Sequence, residues 1–157
     1  MATEIERKFL VTGEGWRQAV TRSVALRDGI LALREGRKIR IRFYDGRATL
    51  TVKGPRNGIC RDEFEYGIPA GDARILLESH CTNIREKIRH HVFHGGWEWV
   101  VDVYGGALAG VVLAEIELPS DQARFPCPPW IGREVTGLPD FRPDRIAARL
   151  RQAGDGA

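Results

Sequence analysis

The chain has 157 residues, 43% hydrophobic and 29% charged, enough for one soluble globular domain with a single core. Its 24 basic and 21 acidic side chains leave a net charge of only +3, too even for a dedicated nucleic-acid or membrane-surface binder. No apolar run is long enough for a transmembrane helix, and the charged opening MATEIERKFLV does not read as a signal peptide.

Period-2 alternation, bounded by Gly, Pro and Asn turns, predicts antiparallel strands over 4–10, 24–33, 38–44, 47–53, 59–67, 84–94, 97–104 and 110–118. One helical turn is expected at 15–19. Asp45-Gly46 and His94-Gly95-Gly96 read as hairpin turns. Apolar residues at Ala73, Leu76 and Leu77 predict a short helix over 71–79. Ser120, after Pro119, predicts a capped short helix over 121–124. Ile146, Ala147 and Leu150 behind Pro143 predict a C-terminal helix over 144–152. Residues 153–157 read as a short disordered tail to a single domain over 1–152. The class is α+β with a mostly antiparallel sheet. Cys60, Cys81 and Cys127 are widely spaced with no CxxC, which predicts free thiols and a cytoplasmic protein.

Residues i, i+2 and i+4 of a strand share a face. One face of seven of the eight predicted strands is charged: Glu4, Glu6 and Lys8; Lys38, Arg40 and Arg42; Lys53; Arg61, Glu63 and Glu65; Lys87 and Arg89; Glu98 and Asp102; Glu115 and Glu117. The opposite faces are largely apolar, as in Ile39, Ile41 and Phe43 or Trp99, Val101 and Val103. Two arrangements fit this pattern. One is a sheet with its charged face in water, and the other is a closed barrel with charges inside and helices on its apolar outside. Acids and bases are segregated by strand, and a solvent face gains nothing from Arg-x-Arg, since like charges repel.

Carboxylate clusters without His or Cys suit hard cations such as Mg²⁺ or Mn²⁺. Clustered Arg and Lys suit phosphate. Both in one cavity describe a site for a polyphosphate, held by metal on one side and cations on the other.

The opening EIERKFLV (Glu4 to Val11) resembles the ExExK signature of the CYTH superfamily, the triphosphate tunnel metalloenzymes. The likeness continues in order through KIRIRF, LTVKGP, RDEFEY, EKIRH, VVDVY, AEIEL and PPWIGREVT, so it spans nearly the whole chain. The resemblance implies an eight-stranded antiparallel β-barrel, a tunnel with charged interior and a few helices packed outside. It implies a divalent-metal-dependent hydrolase of triphosphate substrates, with inorganic triphosphate first. The alternatives are a class IV-type adenylyl cyclase, an organic triphosphatase, or a non-catalytic polyphosphate-binding module. Carried over by motif, Glu4, Glu6, Glu115 and Glu117 would hold Mg²⁺ or Mn²⁺. Lys8, Arg40, Arg42, Lys53, Arg61, Lys87 and Arg89 would bind the substrate. Glu4, Glu6, Lys8, Lys87 and Glu117 would carry catalysis, with Glu63, Glu65, Asp102 and Glu134 as secondary tunnel acids. The partner is a small-molecule triphosphate, with no nucleic acid and no membrane; a homodimer stays open.

The chain departs from the family pattern twice. Ile30 replaces a tyrosine implied to influence substrate discrimination, and after Thr136 the usual arginine is lost or displaced to Arg142. Outside the motifs, His90, His91 and His94 read as surface residues, Gly105 to Gly110 as a connection, and Trp99 as packing on the apolar outer face.

Overall fold

The computed structural model describes residues 3–155. Its strands are β1 (Thr3–Val11), β2 (Val20–Arg34), β3 (Arg37–Tyr44), β4 (Arg47–Lys53), β5 (Cys60–Ile68), β6 (Thr82–His94), β7 (Trp97–Tyr104), β8 (Val112–Glu117) and β9 (Ile131–Glu134). Two α-helices, α1 (Ala70–Ser79) and α2 (Pro143–Asp155), accompany short 3-10 turns at Gly15–Ala19, Gly106–Leu108 and Pro139–Phe141.

Antiparallel ladders join the strands in the order β5-β4-β3-β2-β6-β7-β8-β1, and β1 pairs back onto β5 with Glu4 opposite Arg61. The sheet therefore closes into an eight-stranded barrel. β9 takes the edge of β1 that β5 leaves, so Phe9 lies between Ala114 on one side and Glu134 on the other. Two-residue turns drive the hairpins: Asp45-Gly46 and Gly95-Gly96 all take positive φ, as the right-handed strand twist favours. Glu35-Gly36 makes a third turn of this kind, unmarked in the sequence reading.

Closure settles which face is inside. The charged faces point inward, and the apolar faces are covered from outside. Phe9, Trp99, Val101 and Ile116 are packed under Trp16 and Trp130. Ile41 and Ala48 are packed under Ala73 and Leu77 of α1. Each large apolar side chain buried this way contributes about 1.5–3 kcal/mol. A third cluster, Tyr104, Val111, Leu113 and Val135, meets Ala147 of α2.

The helix expected over 121–124 does not form. Residues 119–130 make a strap of turns and extended chain, because Pro126, Pro128 and Pro129 withhold backbone donors. Phe125 anchors this strap edge-on to Phe9, Trp97 and Trp99, with ring centroids at 6.4, 6.1 and 5.3 Å. α2 runs to Asp155, so the expected tail begins inside a helix, while residues 156 and 157 lie outside the described residues. Cys60, Cys81 and Cys127 are free. No helix among the described residues is long and apolar enough to cross a membrane.

α1 lies so close to β2 that Gly29 is needed at the crossing. A Cβ there would sit 2.7 Å from Cys81 Cβ, 2.8 Å from Leu77 Cδ2 and 2.9 Å from Ile84 Cδ1. Gly29→Ala is expected to destabilise the fold by about 1–3 kcal/mol, read as a lower denaturation midpoint with an unchanged m-value.

Candidate active site

Strand parity sends Glu4, Glu6 and Lys8 of β1 into the barrel lumen. The ladder sets Glu6 opposite Glu117 and Lys8 opposite Glu115 on β8. On the facing wall Lys53 lies opposite Glu63 and Lys38, while Arg40 and Glu65 flank Thr51. β6 supplies Arg85, Lys87 and Arg89, and Asp102 of β7 stands opposite Arg89. Acids and bases from separate strands therefore face one another across one lumen.

Many of the lumen charges are paired within it. Lys53 Nζ donates to Glu4 at 2.9 Å and lies 2.9 Å from Glu63. Lys8 lies 3.3 Å from Glu115. Asp102 is wholly buried and accepts from Lys87 at 2.7 Å and from Arg89 at 2.8 Å. Arg40 is 3.8 Å from Glu65, and Arg56, from the β4–β5 loop, is 3.8 Å from Glu6. The space still admits water: Lys8 keeps 25% and Glu63 26% of their side-chain surface accessible.

Electrostatics separate the acids into two kinds. Burial opposes ionisation of Glu4 and Glu115, but nearby cations outweigh it and hold both carboxyls below their usual range. The decisive cations are Lys53 for Glu4 and Lys8 and Arg89 for Glu115. Asp102 is held low in the same way by Lys87 and Arg89. Glu6 behaves oppositely. Burial, with Glu115 and Glu4 beside it, pushes it up to about 8. Glu117 is raised too, by burial and by Glu4 and Glu63. The acids around Glu6 are short of positive charge.

The bases around Arg40 show the reverse deficit. Nε of Arg40 and Nη1 of Arg56 are buried without an acceptor among the described residues. A cavity of about 450 Å³ opens at one end of the lumen, lined by Lys8, Lys38, Arg56, Arg61, Arg85 and Arg142 among others. Such a surplus of donors attracts an anion.

Residues 2–140 match the family model of the CYTH domain. The chain belongs to the CYTH family. It is 42% identical over 142 residues to an inorganic triphosphatase of Acetivibrio thermocellus, covering 90% of each chain. It is 33% identical over 138 residues to an inorganic triphosphatase of Nitrosomonas europaea, covering 85% of this chain and 89% of that one. The crystal structure of an inorganic triphosphatase superposes with a TM-score of 0.61 at 30% identity, covering 94% of this chain and 95% of that one.

Of the CYTH-motif residues, those on β1, β3–β8 share the lumen, and one on β9 does not. Glu134 lies outside the barrel, where it accepts hydrogen bonds from Arg7, 2.8 Å from Nε, and from Thr136 at 2.9 Å. The reason is parity: Arg7 alternates with Glu6 and Lys8 and points outward. The segment instead secures β1 from behind. Thr136 Oγ1 accepts from the Lys8 amide at 2.9 Å, and the Val135 amide donates to the Lys8 carbonyl at 2.8 Å.

The sequence reading passed over Asp28, whose carboxylate accepts from Arg42 at 2.7 and 2.8 Å. It also passed over Arg56 and Arg85. Asp28 had a signal: it is the lone acid of β2. Arg56 sits in a loop with no periodicity to read. Ile30 faces Arg40 in the ladder and lines the open cavity, as does Arg142. His91 shares the face of Lys87 and Arg89 and pairs with Glu98 at 2.8 Å, whereas His90 packs outside against Trp16.

Proposed function

We propose that the chain is a divalent-metal-dependent hydrolase that cleaves inorganic triphosphate to pyrophosphate and phosphate. One observation carries the reading: a single lumen holds an acid cluster short of cations and a basic cluster short of anions. The names of both curated relatives support it.

Glu4, Glu6, Glu115 and Glu117 would hold Mg²⁺ or Mn²⁺, hard cations that take oxygen ligands. The residues fit that role, because the elevated Glu6 marks a deficit of positive charge that such an ion relieves. As the side chains stand, no three acids among the described residues converge on one metal-sized point. Glu4 and Glu115 are turned instead toward Lys53 and Lys8. A divalent cation held there would supply charge neutralisation and make a nearby water more acidic.

The chain's own residues do the positioning. Lys8, Arg40, Arg42, Lys53, Lys87 and Arg89 exchange carboxylate partners for phosphate oxygens and align the substrate along the lumen. Water attacks the terminal phosphorus in line, forming one P–O bond as the bridging P–O bond breaks. Pyrophosphate leaves with the bond's electron pair, its charge neutralised by Lys8, Lys87 and Arg89, and the water's proton passes to solvent.

The test is product release from inorganic triphosphate, ATP and thiamine triphosphate with Mg²⁺ or Mn²⁺. Equimolar phosphate and pyrophosphate from inorganic triphosphate, abolished by chelator, is the expected result. Pyrophosphate with cyclic AMP from ATP, and no cleavage of inorganic triphosphate, overturns it.

A further inference from the structure

Lys38 is the lumen lysine without a counter-ion. It lies on β3 opposite Lys53 of β4 and Leu33 of β2, on the face that carries Arg40. The other three lumen lysines each have a carboxylate close by: Lys8 with Glu115, Lys53 with Glu4 and Glu63, Lys87 with Asp102. Lys38 makes no such pair with any acid among the described residues. The charged groups that bear most strongly on it are cations: Lys53 on β4, Arg40 on its own strand, Arg61 on β5 and Lys8 on β1. Asp144, at the rim of the same cavity, is 3.5 Å from Arg85. Burial, reinforced by those four cations, pushes the Lys38 ammonium down to about 7.

Arg61 stands beside it with a fixed orientation. Its Nε and Nη2 donate to the Gly54 carbonyl at 3.0 and 2.7 Å. Both side chains line the open cavity, which Glu4, Glu6, Glu115 and Glu117 do not reach.

We propose that Lys38 and Arg61 form an outer phosphoryl subsite that holds the end of inorganic triphosphate remote from attack. The subsite rests on the function proposed above and adds a basis for its selectivity. Inorganic triphosphate presents a free terminal phosphoryl group at that end, with up to two negative charges. An organic triphosphate presents an esterified phosphoryl there, with one charge and a bulky substituent. Lys38 meets the free end without abandoning a partner, so its contact costs no broken ion pair. The same contact favours protonated Lys38, so binding draws a proton from solvent above neutral pH.

The experiment compares the parent chain with Lys38→Gln and Lys38→Arg on inorganic triphosphate and on ATP, with Mg²⁺, across pH 6 to 9. Loss of one charge-assisted contact is expected to lower kcat/KM for inorganic triphosphate roughly ten- to hundredfold in Lys38→Gln, mainly through KM. ATP, whose phosphoryl at that end is esterified and carries one charge, loses several-fold less, so the preference shifts toward ATP. Lys38→Gln melts no lower than the parent, because no ion pair is lost. Lys38→Arg keeps the preference and removes the rise in KM that the parent shows as pH passes about 7. Equal losses on both substrates, or none, overturn the subsite while leaving the proposed function standing. A parent chain inactive on inorganic triphosphate overturns that function and the subsite with it.

Discussion

Glu6→Gln is expected to lose metal-dependent turnover by about a thousandfold or more and yet to melt several degrees higher than the parent at pH 9 without metal. Both results come from the same group. Glu6 is enclosed beside Glu115 and Glu4, and its carboxyl is raised to about 8. An acid that holds its proton more tightly when folded subtracts stability as pH rises from the ordinary carboxylate value to about 8. Above that the penalty is complete, and glutamine removes it. Phosphate release with Mg²⁺ or Mn²⁺ and thermal melts in chelator measure the two effects. Full turnover by the variant would show that Glu6 holds no essential ligand. Metal binding to the parent should strengthen with pH up to about 8, because the ligand must shed its proton first.

Asp102→Ala acts in the other direction. Asp102 has no exposed surface and is the shared acceptor of Lys87 at 2.7 Å and Arg89 at 2.8 Å. Removing it strands two enclosed cations, a loss of about 3–5 kcal/mol in denaturant titration. Burial disfavours the Asp102 anion, but Lys87 and Arg89 outweigh it and keep the carboxyl low. Its contribution is therefore complete above the usual aspartate range and fades only as pH falls through the depressed value. The variant should lose that acid-side limb from its stability profile. Triphosphate added without metal should raise its melting temperature more than the parent's, since Lys87 and Arg89 no longer have a competing carboxylate. An unchanged denaturation midpoint would contradict the ion-pair account.

The strands were legible because alternation is local: all eight barrel strands follow from period-2 runs and two of their turns from Gly. Alternation does not say which face is inside. Glu4, Glu6 and Lys8 would alternate identically on a solvated sheet, and only the pairing of Glu4 with Arg61 across the barrel decides. β9 escaped because it is four residues long and follows three prolines. Its parity was equally unreadable, which is why Glu134 looked like a tunnel acid and turned out to hold Arg7. In β2 the register slips between Ile30 and Ala32, so Ile30 and Leu33 both reach the cavity, which strict alternation forbids. The basic run of β3 was legible as a face, but Asp28 as the partner of Arg42 was visible only once β2 and β3 were paired.

β1 has a consequence for how the protein is made. Its ladder partners all lie far along the chain, at residues 60–62, 113–117 and 131–134. Contacts so distant along the chain form late and slowly. The strand bearing Glu4, Glu6 and Lys8 must wait, with Ile5 and Phe9 unshielded, until residues 131–134 have been synthesised. Chaperone demand should thus concentrate on β1, and premature termination before residue 131 should yield aggregate rather than a partly active barrel.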